Sequence, residues 1–129
     1  MTMTATVKRR PKHLDLVKIR LPMPAFVSIL HRLSGVLLFL FVPFILYLLE
    51  RSLASDQSYG NLVSVVAHPL AKLLLLGLLW AFLHHLFAGI RYLLLDLHIG
   101  TDLAAARAGS GVVLVVSLLL TLLLGVKLW

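Results

Sequence analysis

Three segments of this sequence are long and apolar enough to cross a lipid bilayer, and they limit the fold more than any other feature. They run from about 26 to 49, from 73 to 95 and from 110 to 128. A helix needs ~20 predominantly apolar residues to cross a hydrocarbon core about 30 Å thick. Lipid accepts only helices or closed barrels, and these segments lack the alternating pattern of barrel strands. The sequence therefore predicts an all-α integral membrane protein with three transmembrane helices.

The composition supports a membrane protein and removes several kinds of chemistry. The chain has 129 residues, of which 60% are hydrophobic and 13% are charged. A soluble domain is usually about 45–50% apolar and about 25% charged. The chain has no cysteine, which excludes disulfides, thiolate metal sites, c-type haem attachment and cysteine nucleophiles.

The N-terminal segment 1–25 is basic and is predicted to remain on the cytoplasmic side. The formal net charge is +7, and much of the excess lies in Lys8, Arg9, Arg10, Lys12, Lys18 and Arg20. Ahead of membrane spans, such charges set topology rather than bind nucleic acid. The charges lie too far from the apolar run for a cleaved signal peptide. We expect a multi-pass protein of the bacterial inner (cytoplasmic) membrane, with a three-helix membrane domain at 26–129.

Two polar stretches separate the predicted spans. The first, 50–61, reads ERSLASDQSYGN, and the second, 96–111, reads DLHIGTDLAAARAGSG. Both are rich in turn-forming residues and are predicted to be loops. Between the first loop and the second span, 62–72 is expected to lie at the membrane interface, where Lys72 can reach the headgroups.

Ser28, His31 and Arg32 lie together at the start of the first apolar segment. Positions separated by three and four residues share one face of a helix. Any one of these residues could simply satisfy the helix end or reach towards the headgroups. Three on one face favour a functional site, because ionisable residues within a membrane are usually functional.

His84 and His85 lie about midway along the second segment. An imidazole at that depth needs a hydrogen bond, a proton relay or a metal, and it is a good axial ligand for haem iron. The two side chains point about 100° apart. The small residues Ala88 and Gly89 are expected to leave room for a porphyrin beside His85.

Arg91 and Asp96 follow towards the cytoplasmic end of the second segment, at the depth expected for Ser28 and Arg32. Arginines from two helices at one depth favour anionic groups such as haem propionates, or can polarise a carbonyl. These residues suggest a b-type haem with one axial histidine from this chain and a polar pocket near the cytoplasmic face. One histidine leaves the sixth iron position open. A second subunit could fill it, and the chain would then form half of a heterodimeric haem-binding bundle.

The third segment carries a stripe of small residues at helical spacing. Ser117, Thr121 and Gly125 lie four residues apart. Such a stripe allows either close packing of helices or the approach of a flat cofactor.

Two motifs in this order resemble those of a known family. Ser-x-x-His-Arg-x-Ser-Gly occupies 28–35, and His-x-x-x-Gly-Ile-Arg, followed by an apolar run and Asp, occupies 85–96. Before them stand Arg-Pro at 10–11, His-Leu at 13–14 and Arg-Leu-Pro at 20–22. The sequence resembles the cytochrome b subunits of bacterial and mitochondrial succinate dehydrogenase over nearly its whole length.

The resemblance implies a non-catalytic subunit of a four-subunit complex. In that family a flavoprotein subunit oxidises succinate, and an iron–sulfur subunit carries the electrons. Two small membrane anchors hold haem b between them and help to form the site where ubiquinone is reduced. The expected partners of this chain are therefore the flavoprotein, the iron–sulfur subunit, a second small anchor and membrane lipid.

The resemblance also assigns roles to individual residues. His85 corresponds to the axial haem ligand, and Ser28 and Arg32 correspond to residues lining the quinone pocket. His31 and, in part, Arg32 correspond to residues beside the haem propionates. Arg91 and the Asp that ends the second motif shape the same end of the site. The sequence departs from the family where His is common after Gly-Ile-Arg, because Tyr92 stands there. It also departs at 10–19, which reads RPKHLDLVKI.

Three other functions fit parts of the pattern. The chain can be the anchor of a quinol:fumarate reductase, which differs in physiological direction. It can be a small proton or ion transporter that uses Arg32 and His85 as a relay. It can also be a structural anchor without haem, in which His85 would be freely replaceable. A haem spectrum and the co-purifying subunits distinguish these functions.

Overall fold

A computed structural model describes residues 20–128 of the chain. The described chain forms four α-helices, α1 (Met23–Ala54), α2 (Asp56–Val66), α3 (Pro69–Asp96) and α4 (Leu103–Leu128). By length and composition, α1, α3 and α4 can each cross a membrane. The prediction of an all-α protein with three spans is confirmed. Residues 1–19, which hold most of the basic segment and the Arg-Pro and His-Leu pairs, lie outside the described residues.

The first span, α1, begins at a proline-rich turn and is the longest helix. Pro22 precedes the helix in an extended conformation, and Pro24 lies in its first turn. Proline suits this position because the first amides of a helix have no intrahelical acceptor. The 32 residues of α1 extend about 48 Å at about 1.5 Å per residue, well beyond a hydrocarbon core of about 30 Å. The helix therefore continues into the headgroup region at one end or both.

The predicted loop at 50–61 is wrong, because only Ser55 lies outside a helix there. The Ser55 hydroxyl accepts the Ser58 N–H at 3.1 Å and caps α2. The Ser58 hydroxyl donates to the Arg51 carbonyl at 2.8 Å, which joins the start of α2 to the end of α1. The segment 62–72, expected at the interface, is divided between the end of α2, a short junction and the first turn of α3.

The predicted loop at 96–111 is also too long. The α3–α4 connection is complete by Asp102, whose carboxylate accepts the Ala105 N–H at 3.0 Å and caps α4. The helix therefore starts at Leu103 rather than near 110. Within the connection, Gly100 has φ 75°, a conformation that glycine adopts at little cost.

Small residues form the core where α3 and α4 pack. The buried members are Ala81 and Ala88 on α3, and Ser110, Ser117, Thr121 and Gly125 on α4. The buried hydroxyls bond within their own helix, as Thr121 does to the Ser117 carbonyl at 2.7 Å. A Cβ on Gly125 would lie 2.6 Å from Leu76 Cδ1. The stripe on the third span therefore serves close helix packing.

The bundle leaves most of α1 uncovered. In the most apolar stretch of α1, 6% of the residues are buried within the chain. The corresponding share is 22% for α3 and for α4. In a membrane, lipid or the helices of another subunit cover such a surface.

Candidate functional site

The His85 imidazole lies against α1 and is held there through Nδ1. This nitrogen is 3.0 Å from the His31 carbonyl oxygen and 3.2 Å from the Ser34 hydroxyl. The same carbonyl accepts the Ser34 hydroxyl at 2.9 Å. A carbonyl can only accept, so Nδ1 carries the proton when it bonds to His31. That tautomer leaves the Nε2 lone pair available to a metal, as in many histidine ligands.

Gly35 allows the His85 ring to lie this close to α1. A Cβ added at Gly35 would stand 2.8 Å from His85 Cε1 and 3.3 Å from Nδ1. Real Cβ atoms do not approach other atoms so closely, so any larger residue would displace the ring or separate the helices. The last residue of the first motif is therefore glycine for a steric reason.

His31 extends the site towards the start of α1. Its ring stacks on that of His85, with centroids 4.1 Å apart and planes 14° from parallel. It also meets the ring of Tyr92, with centroids 5.1 Å apart and planes tilted by 52°. Three rings thus form a row between α1 and α3. Because His31 and Tyr92 touch, their sequence neighbours Arg32 and Arg91 lie at a similar level of the bundle.

The side chains of Arg32 and Arg91 lie in different surroundings. Arg91 Nη2 donates to the Ala106 carbonyl at 3.2 Å, which holds its side chain against α4. Arg32 is exposed, and Ser28 is half-buried. The Arg91 guanidinium carbon also lies 5.6 Å from the centre of the Tyr92 ring. The structure therefore brings His31, His85, Tyr92 and Arg91 into one connected group. It leaves Ser28 and Arg32 beside this group on the outer edge of α1.

His84 occupies the interior of the bundle instead of its edge. It is fully buried, its ring stacks on Trp80 with centroids 5.3 Å apart, and neither ring nitrogen has a hydrogen-bond partner between residues 20 and 128. Ala88, expected to leave room for a porphyrin, is also fully buried and packs with Val27 and Val113. That expectation was wrong for Ala88, because its methyl group fills the core.

Two contacts at the site were not anticipated from sequence. One is the hydrogen bond between Ser34 and His85, and the other is the close approach of Gly35 to the His85 ring. Both involve the first motif, in which the sequence predicts roles only for Ser28, His31 and Arg32. The signal was present, because Ser34 and Gly35 are the last two residues of that motif. Its meaning depends on which face of α3 lies opposite, and a single helix does not show this.

The chemistry available here is that of one imidazole ligand rather than of a multidentate metal site. The described residues contain no group of three or more His, Cys, Asp or Glu side chains that could hold a metal ion. Haem requires less from the protein, because the porphyrin supplies four nitrogen ligands and each axial position takes one side chain. His85, with Nδ1 engaged and Nε2 available, fits that requirement.

Comparison with known proteins finds relatives that cover most of the chain. Residues 6–124 match the family described as succinate dehydrogenase/fumarate reductase transmembrane subunit. The succinate dehydrogenase cytochrome b556 subunit of Coxiella burnetii is 42% identical over 122 residues, covering 94% of this chain and 98% of that protein. Subunits of the same name from Rickettsia prowazekii and Paracoccus denitrificans are 33% and 31% identical over 92% and 88% of this chain and of their own lengths.

The family match covers both motifs, the whole of α1 and α3, and α4 as far as residue 124. The resemblance seen in the sequence is confirmed, and the chain is a multi-pass membrane protein that belongs to the succinate dehydrogenase/fumarate reductase transmembrane subunit family.

Proposed function

We propose that this chain is a membrane anchor of a succinate:quinone oxidoreductase, respiratory complex II. It acts with a flavoprotein subunit, an iron–sulfur subunit and a second small anchor. It performs no catalysis alone and contributes part of a site at which ubiquinone is reduced. The names of the relatives support succinate dehydrogenase over a quinol:fumarate reductase, because the proteins from Coxiella burnetii, Rickettsia prowazekii and Paracoccus denitrificans all carry the former name.

We further propose that His85 is one axial ligand of a haem b shared with the second anchor. The observation that supports this role is the hydrogen bond of Nδ1 to the His31 carbonyl at 3.0 Å, which directs Nε2 to a ligand. The haem would supply a one-electron store beside the quinone site. His31 and Arg91, both connected to His85 through the row of rings, would lie near its carboxylates.

Ser28 and Arg32 are proposed to bind the quinone. A quinone presents only acceptor oxygens, so a hydroxyl and a guanidinium are suitable partners. Ser28 donates to one carbonyl oxygen, and Arg32 places a fixed cation where negative charge develops during reduction. Both side chains lie on the edge of α1, where a partner subunit can approach them. Protons reach the quinone from the side of the membrane that holds the N-terminus.

The proposed orientation places the N-terminus in the bacterial cytoplasm. The support is the cluster of basic residues before α1, which positive-inside topology places on the cytoplasmic side. The quinone site then lies on the same side as the iron–sulfur subunit. The uncovered surface of α1 faces the second anchor or lipid.

One experiment tests the assignment as a whole. Gentle detergent purification of a tagged chain is expected to yield a flavoprotein, an iron–sulfur protein and a second small membrane subunit, identified by mass spectrometry. The same sample is expected to show a b-type reduced-minus-oxidised spectrum. A chain purified from intact membranes without haem and without these subunits would favour a transporter instead.

Gly35→Ala is expected to reduce the haem content of the complex. The new methyl group would overlap His85 Cε1, and such overpacking costs about 1–3 kcal/mol. The haem-to-protein ratio and the thermal unfolding midpoint should both fall. Gly77→Ala on α3 is the matched control, because a Cβ there meets nothing within 4 Å. Equal haem content in the two variants would contradict the proposed contact.

A further inference from the structure

A groove between α1 and α2 combines an apolar wall with a cation at its rim. It lies at the end of the bundle opposite to the row of rings and has a volume of about 280 Å³. Its apolar lining consists of Phe44, Tyr47, Leu48, Leu62 and Val65. Arg51, Ser58 and Asn61 line the polar part. Such a groove can hold a chain with an anionic head.

The Arg51 side chain lies at the rim of this groove. It is one turn beyond Tyr47 on α1, and its guanidinium carbon lies 5.9 Å from the centre of the Tyr47 ring. Counting about 20 residues for the hydrocarbon core from the first apolar residues of α1 puts Arg51 just past its far boundary. This depth is that of the headgroups. Tyrosine and arginine at the same level are typical of interfacial anchors.

The second helix, α2, has the character of an interfacial helix. It has no buried residue, and Tyr59, Val63 and Val65 are about half exposed or more. An amphipathic helix at the end of spans lies in the plane of the membrane, with its apolar face towards the acyl chains. The hydrogen bond from Ser58 to the Arg51 carbonyl holds it beside the cation.

The charges nearby are consistent with an anionic ligand on Arg51. Glu50 precedes Arg51 on the same helix and therefore projects about 100° away from it. Asp56 lies in the first turn of α2, where a carboxylate complements the helix terminus. A second groove, on the other side of α2, repeats the pattern with a volume of about 340 Å³ and Lys72 among its lining residues.

We propose that the groove between α1 and α2 binds an anionic phospholipid. Its phosphate pairs with the Arg51 guanidinium, whose planar donors suit phosphate oxygens, and one acyl chain lies along Leu48, Leu62 and Val65. The site is independent of the haem and quinone proposals, because it requires only that α1 spans the membrane.

The test uses the complete complex, purified in mild detergent, stripped of lipid and exchanged into nanodiscs with equal phosphatidylglycerol and phosphatidylcholine. Native mass spectrometry after release reports the retained lipids. Wild type is expected to retain phosphatidylglycerol preferentially, and Arg51→Gln to lower that preference about fivefold, the effect of one interfacial cation. Lys127→Gln, at the exposed C-terminal turn of α4, is the matched control and is expected to retain the wild-type preference.

A second variant tests the groove without changing its charge. Val65→Trp, at a side chain that is 62% exposed, would fill the space for the acyl chain and should also reduce retention. Equal retention by wild type and Arg51→Gln would overturn the proposal. A photo-crosslinker at position 65 that joined a protein subunit rather than lipid would overturn it as well.

Discussion

Replacing His85 by Ala is expected to abolish the b-type haem spectrum of the purified complex or reduce it to a small remainder. The variant removes the side chain proposed to bind iron from this subunit, so the haem would be held from the partner side alone. The reduced-minus-oxidised difference spectrum measures the loss directly. Imidazole added in millimolar excess should restore part of the signal, because it can enter the space left by the side chain.

Two other histidines separate loss of a ligand from general damage. His98 lies in the α3–α4 connection with φ 60°, so His98→Asn, which tolerates that backbone, should keep the full spectrum. His84→Phe retains a ring stacked in the core and should keep the haem as well. A normal spectrum in His85→Ala, or its loss in His84→Phe with His85 intact, would reassign the ligand.

Arg32→Ala is expected to lower ubiquinone reduction by about 100-fold while leaving succinate oxidation by an artificial dye unchanged. Removal of one preorganised donor or cation from a site of developing negative charge has an effect of about this size. The two assays, run on the same preparation, separate the quinone site from the flavoprotein. Arg32→Lys keeps the positive charge but lacks the planar guanidinium. Its ubiquinone turnover should therefore lie between that of wild type and that of Arg32→Ala.

The matched control for Arg32 is another exposed arginine at the same end of the bundle. Arg107 lies on the first turns of α4 and is exposed, so Arg107→Ala should keep wild-type ubiquinone turnover. Wild-type turnover in Arg32→Ala would remove this residue from the quinone site. Equal losses in both variants would instead indicate a general effect of positive charge on quinone or lipid binding.

The spans could be predicted from the sequence because the thickness of the bilayer sets a minimum length for a spanning helix. Apolar segments of that length are visible in the sequence. The helix ends could not, because they depend on capping and not on hydropathy. Gly60 and Asn61 indicate a turn by type, yet both lie inside α2. Ser55 starts that helix by accepting one amide, a contact worth about 1 kcal/mol that composition does not reveal.

The candidate site was predicted in part for a similar reason. Spacing alone shows that His84 and His85 point about 100° apart, but not which of them faces α1. The resemblance selected His85, and the structure places His84 in the core without partners among the described residues. A contact between helices, such as that of Gly35 with the His85 ring, depends on how two helices pack. The sequence of either helix alone does not predict it.

The position of the His85 contacts in the chain bears on how the protein is made. His31, Ser34 and Gly35, which surround its ring, all belong to α1, and only a short helix and two brief connections separate α1 from α3. The surroundings of the proposed iron ligand are therefore shaped by α1 and α3, the first pair of spans. During synthesis, these contacts can form as soon as α3 enters the bilayer, before α4 leaves the ribosome.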